Sequence, residues 1–80
     1  MTKQNTLPDR DLEKTYPAKG FADKLRRLAD AIEQKKRYRI QISGERITIP
    51  TNAIFNIEHE REGNNEEIEF QLKWSNTEKD

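Results

Sequence analysis

Residues 68–74 read IEFQLKW. In an extended chain Ile68, Phe70, Leu72 and Trp74 point one way, and Glu69, Gln71 and Lys73 point the other. The run therefore predicts a strand with one buried face and one wet face. The alternation ends at Trp74, the single tryptophan of the chain, and only polar tail follows. A tryptophan on the last inward step reads as the residue that closes a core, since it covers more area than any other side chain. The competing reading is an exposed anchor for a partner. Just upstream, REGNN (61–65) is a turn signal built on Gly63, Asn64 and Asn65. Before it, NAIFNIEHE (52–60) is a strand with Phe55, Ile57 and His59 inward. Pairing Phe55 with Leu72 and Ile57 with Phe70 joins the two runs in one hairpin.

A second hairpin precedes this one. In RYRIQISGERITIP (37–50), Tyr38, Ile40 and Ile42 alternate with Arg39 and Gln41, and Ile47 and Ile49 resume the apolar face. Ser43-Gly44 between them is a two-residue turn signal. If Ile42 opposes Glu45, then Ile40 meets Ile47 and Tyr38 meets Ile49, so the register agrees with the pattern. Pro50 closes the second strand. Still earlier, FADKLRRLADAIEQKK (21–36) is a helix. Phe21, Leu25, Leu28 and Ile32 form one stripe, with Ala29 beside it to permit close approach to a sheet. Pro17 suits the first turn, and Gly20 places the regular helix after it. Lys24, Arg27 and Glu33 are expected to face water, and Lys35 and Lys36 to sit in the last turn.

The fold these elements predict is α+β: one amphipathic helix on a four-stranded antiparallel β-meander, in the order α-β-β-β-β. Residues 11–16 (DLEKTY) are a candidate short N-terminal edge strand. The organisation expected is a flexible leader (1–10), one domain (11–75) and a disordered tail (76–80). The inward set is Phe21, Leu25, Leu28, Ile32, Tyr38, Ile40, Ile42, Ile47, Ile49, Phe55, Ile57, Ile68, Phe70, Leu72 and Trp74. That is a thin core for 80 residues, of which only 31% are hydrophobic and 38% charged. Self-association is one way to add burial.

The chain has no cysteine and a single histidine, so neither a disulfide framework nor a His-pair metal site is available. No phosphate-binding glycine loop occurs, and the only serines, Ser43 and Ser75, have no base placed beside them. An enzyme, a cofactor and a membrane span are therefore not expected, and the first ten residues lack the apolar stretch of a signal peptide. The expected location is the cytoplasm.

The formal net charge is +0, yet it is divided along the chain. Residues 1–46 hold 12 Lys/Arg against 7 Asp/Glu, and residues 47–80 hold 3 against 8. The second hairpin's outward face sets Glu58 opposite Glu69 and Glu60 opposite Glu67, an unfavourable pairing of like charges. Arg39 and Arg46 on the neighbouring hairpin are the expected counter-charges. A basic partner segment or a hard divalent cation are the alternatives. In a meander, Arg37 and Arg39 mark one edge strand and Glu67 and Glu69 the other. An acidic edge of one copy then meets a basic edge of the next, or the charges keep like edges apart. The candidate partner-binding residues are therefore Arg37, Arg39, Arg46, Glu58, Glu60, Glu67 and Glu69. The basic stretch 24–39 supports a nucleic-acid reading as the alternative, although Tyr38 points inward and the neighbouring hairpin is acidic. His59 reads as a border residue at the rim of the core, with a pH-sensing role as its alternative.

The segments FADKLRRLADAIEQ, ISGERITIP and IEHEREGNNEEIEFQLKW, in this order and spacing, resemble the amphi-Trp domain family of short prokaryotic proteins. The resemblance spans residues 12–74. It implies a closing amphipathic strand ending in Trp, with Trp74 as the signature position. The basic KKRYR segment differs from the acidic character of that family. The resemblance carries over no catalytic, cofactor or metal residue. The expectation for function is a small non-enzymatic protein-interaction or self-assembly module, with a protein partner or a second copy as its ligand.

Overall fold

A computed structural model describes residues 7–76. The leader residues 1–6 and the tail residues 77–80 lie outside the described residues. The order is that expected from the sequence: α1 (Ala18–Glu33), β1 (Tyr38–Ile42), β2 (Glu45–Ile49), β3 (Ile54–Glu62) and β4 (Asn65–Lys73). The fold is α+β, with antiparallel strands throughout.

The helix starts earlier than its apolar stripe suggests. Pro17 is the last extended residue (φ −64°, ψ 154°), and its carbonyl accepts the first helical bond from the Phe21 amide at 3.0 Å. Gly20 therefore lies inside the helix. At the other end, α1 stops at Glu33, so Lys35 and Lys36 fall beyond its last turn. Lys35 takes a left-handed conformation (φ 56°). Its amide donates to the Ile32 carbonyl at 3.1 Å, and the Lys36 amide donates to the Ala31 carbonyl at 2.9 Å. These two bonds form a Schellman cap, which satisfies carbonyls that would otherwise be orphaned.

Both hairpins have the registers read from the sequence. Tyr38 faces Ile49, Ile40 faces Ile47 and Ile42 faces Glu45. Ser43 (φ 45°) and Gly44 (φ 82°) are both left-handed, as a I′ turn requires. In the second hairpin Phe55 faces Leu72, Ile57 faces Phe70, and His59 faces Ile68. Its turn is Gly63-Asn64, with only Gly63 at positive φ (60°), the pattern of a II′ turn. Asn65 already belongs to β4.

The strands form two separate two-stranded sheets, β1-β2 and β3-β4, instead of one continuous meander. Pro50 explains the break. It has no N–H to give a ladder, and it begins the Pro50–Ala53 turn, in which the Ala53 amide reaches back to the Pro50 carbonyl at 3.4 Å. The chain thus turns away from β2 before β3 begins. Residues 11–16 form no strand. Side chains hold this segment instead. Arg10 Nη2 donates to the Ile42 carbonyl at 2.8 Å, and its Nε lies 3.5 Å from Glu45 Oε1. The Tyr16 ring lies under Lys14 Nζ (5.3 Å) and Lys24 Nζ (5.4 Å).

The core is smaller than the inward set. Among the described residues the buried apolar ones are Ala31, Ile49 and Ala53. The more protected line along the helix is Gly20, Lys24, Leu28 and Ala31. Lys24, expected to face water, instead reaches the Gln41 carbonyl at 3.4 Å. Close approach falls to Ala31, while Ala29 is exposed. Phe21, Leu25 and Ile32 keep much of their surface in solvent.

Candidate functional site

The β3–β4 hairpin is the most exposed element with a strong apolar pattern. Every residue of β3 is exposed, as are the first six of β4. On its apolar face Phe55, Ile57, Ile68 and Phe70 keep 54%, 68%, 65% and 66% of their surface in solvent. The sequence places all four in the core. The alternation is correct, but the rest of the chain does not lie over this face. At its base the face joins a shallow groove of about 460 Å³, where Phe55 meets Leu28, Ala31, Ile32, Tyr38 and Ile49. Ile32 thus connects the exposed apolar side of α1 with that of the hairpin.

Toward the tip, the same face becomes polar. Glu66 Oε2 accepts from Arg61 Nε (3.2 Å) and Nη2 (2.8 Å), and it lies 2.7 Å from His59 Nε2. The bonds to His59 first, and then Arg61, hold the Glu66 carboxyl below the ordinary carboxylate range. His59 is accordingly an exposed member of a polar cluster, not the rim of a core.

The opposite face is acidic. Glu58 stands opposite Glu69 and Glu60 opposite Glu67, as the register predicts. The expected counter-charges do not arrive. Among the described residues, Arg39 and Arg46 make no ion pair with these glutamates, because the two hairpins do not share a sheet. Gln71 Nε2 instead donates to Glu58 Oε1 (3.2 Å) and Glu69 Oε2 (3.1 Å). Glu67 receives no such bond, and its carboxyl is pushed up, mainly by the negative charge of Glu60 and then of Glu69. Arg37 precedes β1, and Arg39 and Arg46 point into solvent on the first hairpin. The seven charged candidates are therefore not gathered into one surface. Four of them share the back of the β3–β4 hairpin. The candidate surface that the sequence places in the core is the front of that hairpin.

Trp74 directly follows β4. It is half-buried, and its Nε1–H donates to Asn76 Oδ1 at 3.0 Å. Among the described residues no group of three or more His, Cys, Asp or Glu side chains is arranged to hold a metal ion. No described helix is long and apolar enough to cross a membrane.

Neither a curated protein nor a solved structure matches the chain. The family model for the Amphi-Trp domain matches residues 3–80. With a helix, two hairpins and a closing strand that runs into Trp74, this chain belongs to the Amphi-Trp domain family.

Proposed function

We propose that this protein is a small, non-enzymatic protein-interaction or self-assembly module that works through the apolar face of the β3–β4 hairpin. One observation carries the reading: Phe55, Ile57, Ile68 and Phe70 form a register-aligned apolar face that the chain itself leaves open. An isolated two-stranded hairpin is at best marginally stable in water, so a nine-residue ladder of this kind gains its order by being covered. Exposed apolar surface on this scale, on the order of 400 Å², is the size at which a monomer's largest patch is often functional. The acidic back of the hairpin keeps it soluble and directs contact to one side. The cysteine-free composition suits the cytoplasm we assign it.

The nucleic-acid reading has less support. Of the basic stretch, Lys24 is occupied by the Gln41 carbonyl and Arg26 by Asp23 at 3.2 Å. The interaction reading is tested with an apolar fluorescent dye at high dilution. The parent is expected to bind the dye, and Ile57→Lys and Phe70→Lys to bind much less. A dilute parent that binds no dye contradicts the reading.

A further inference from the structure

We infer that the molecule covering this face is a second copy of the same chain, with two β3–β4 hairpins packed front to front about a two-fold axis. The inference rests on the interaction reading above and names its partner. Surface area is the first argument. Phe55, Ile57, Ile68 and Phe70 leave on the order of 400 Å² of apolar surface open on each copy, so front-to-front packing covers about 800 Å² of apolar surface in all, and with a polar rim that is the scale of a specific, reversible two-copy contact.

The second argument is the shortage of internal core. Among the described residues Ala31, Ile49 and Ala53 are the buried apolar ones, which leaves β3 and β4 with little core of their own, so these two strands gain their order as the partner docks. A second copy is present wherever the chain is made, and it brings the same open face. Two such faces are self-complementary, as a two-fold contact demands. Stacked front to front, they make a four-stranded sandwich with Phe55, Ile57, Ile68 and Phe70 of both copies inside, about 10 Å between sheets.

The charge layout selects this geometry over edge pairing. Extending the ladder edge to edge through β3 would bring the Glu58 and Glu60 rows of two copies alongside each other in one plane. Front-to-front packing turns both acidic backs outward, on opposite sides of the pair. It also closes at two copies, because the outer faces are acidic and unsuited to further stacking.

The test is sedimentation equilibrium of the full chain over a dilution series, read with dye binding and single-cysteine cross-linking. The chain has no cysteine of its own, so each label reports one position. The expected mass is twice that of one chain, and Ile57→Arg is expected to raise the dissociation constant at least about tenfold. Because Ile57→Arg also risks the fold, the cross-linking supplies a separate reading. A short bis-maleimide is expected to join copies through Ile57→Cys and Ile68→Cys far faster than through Glu58→Cys and Glu69→Cys. Equal or faster joining at the acidic face overturns the geometry, and assemblies larger than two overturn closure. A single-copy mass at every concentration overturns the inference. With dye bound, that result leaves the interaction reading standing; with no dye bound, both fall.

Discussion

Lys35 occupies a position that glycine fills most easily. It is left-handed (φ 56°) at the residue after the helix cap, where a Cβ crowds the backbone. Lys35→Gly keeps both cap bonds and removes that crowding, at some cost in unfolded-chain entropy. The expected net gain is about 0.5–1 kcal/mol in a urea melt, and a loss of stability would contradict this account of the cap. The two perturbed glutamates act in opposite directions. Glu66 is lowered by His59 and then Arg61, so its contribution is present above its unfolded pKa and is lost as pH falls through the lowered value. Glu67 is raised, chiefly by Glu60, so its ionisation opposes folding at neutral pH, and that opposition is relieved as pH falls through the raised value. Glu67→Gln is therefore expected to melt above the parent at neutral pH. The gap closes as pH falls through the raised pKa of Glu67, and it also narrows in high salt. A gap independent of both pH and salt would show that the repulsion is not its cause.

At the scale of elements, the hairpins were fully legible and the helix only in part. Alternation plus a two-residue turn determines a register, since any one-residue slip would exchange the two faces. That is why Tyr38 met Ile49 and Phe55 met Leu72 as expected. Helical periodicity is less exact about which side of a broad apolar stripe meets a neighbour. The side that reaches the short first hairpin is the one with Leu28 and Ala31, and Phe21, Leu25 and Ile32 are left beside it. The pairing of Glu58 with Glu69 was readable, but its rescue by Gln71 was not, because a cross-strand diagonal bond depends on rotamers. Ile49 is buried at the end of β2 beside the helix groove. Ile49→Ala is expected to cost about 2–4 kcal/mol at any protein concentration. Ile57→Ala is expected to weaken a concentrated sample and to leave a dilute one within about 0.5 kcal/mol of the parent. Denaturant melts at two concentrations check the contrast, and a concentration-independent loss at Ile57 would place that side chain in an internal core.

For the whole molecule, the departure that matters most is the divided sheet, because it opens the candidate surface. Four amphipathic strands and one helix satisfy each other if they form a single sheet, and hydropathy alone favours that closed solution. It does not register that Pro50 and the turn to Ala53 interrupt the ladder between β2 and β3. With the sheet divided, a face that reads as core becomes surface. The same alternation that predicts burial in one chain then describes burial between molecules. The most direct test of this account is amide hydrogen exchange in β3 and β4, followed across a dilution series with the mass recorded in parallel. The account predicts that protection of Ile54–Glu62 and Asn65–Lys73 rises with concentration as the contact forms. Strong protection of those strands in a chain that stays single at every concentration would contradict it.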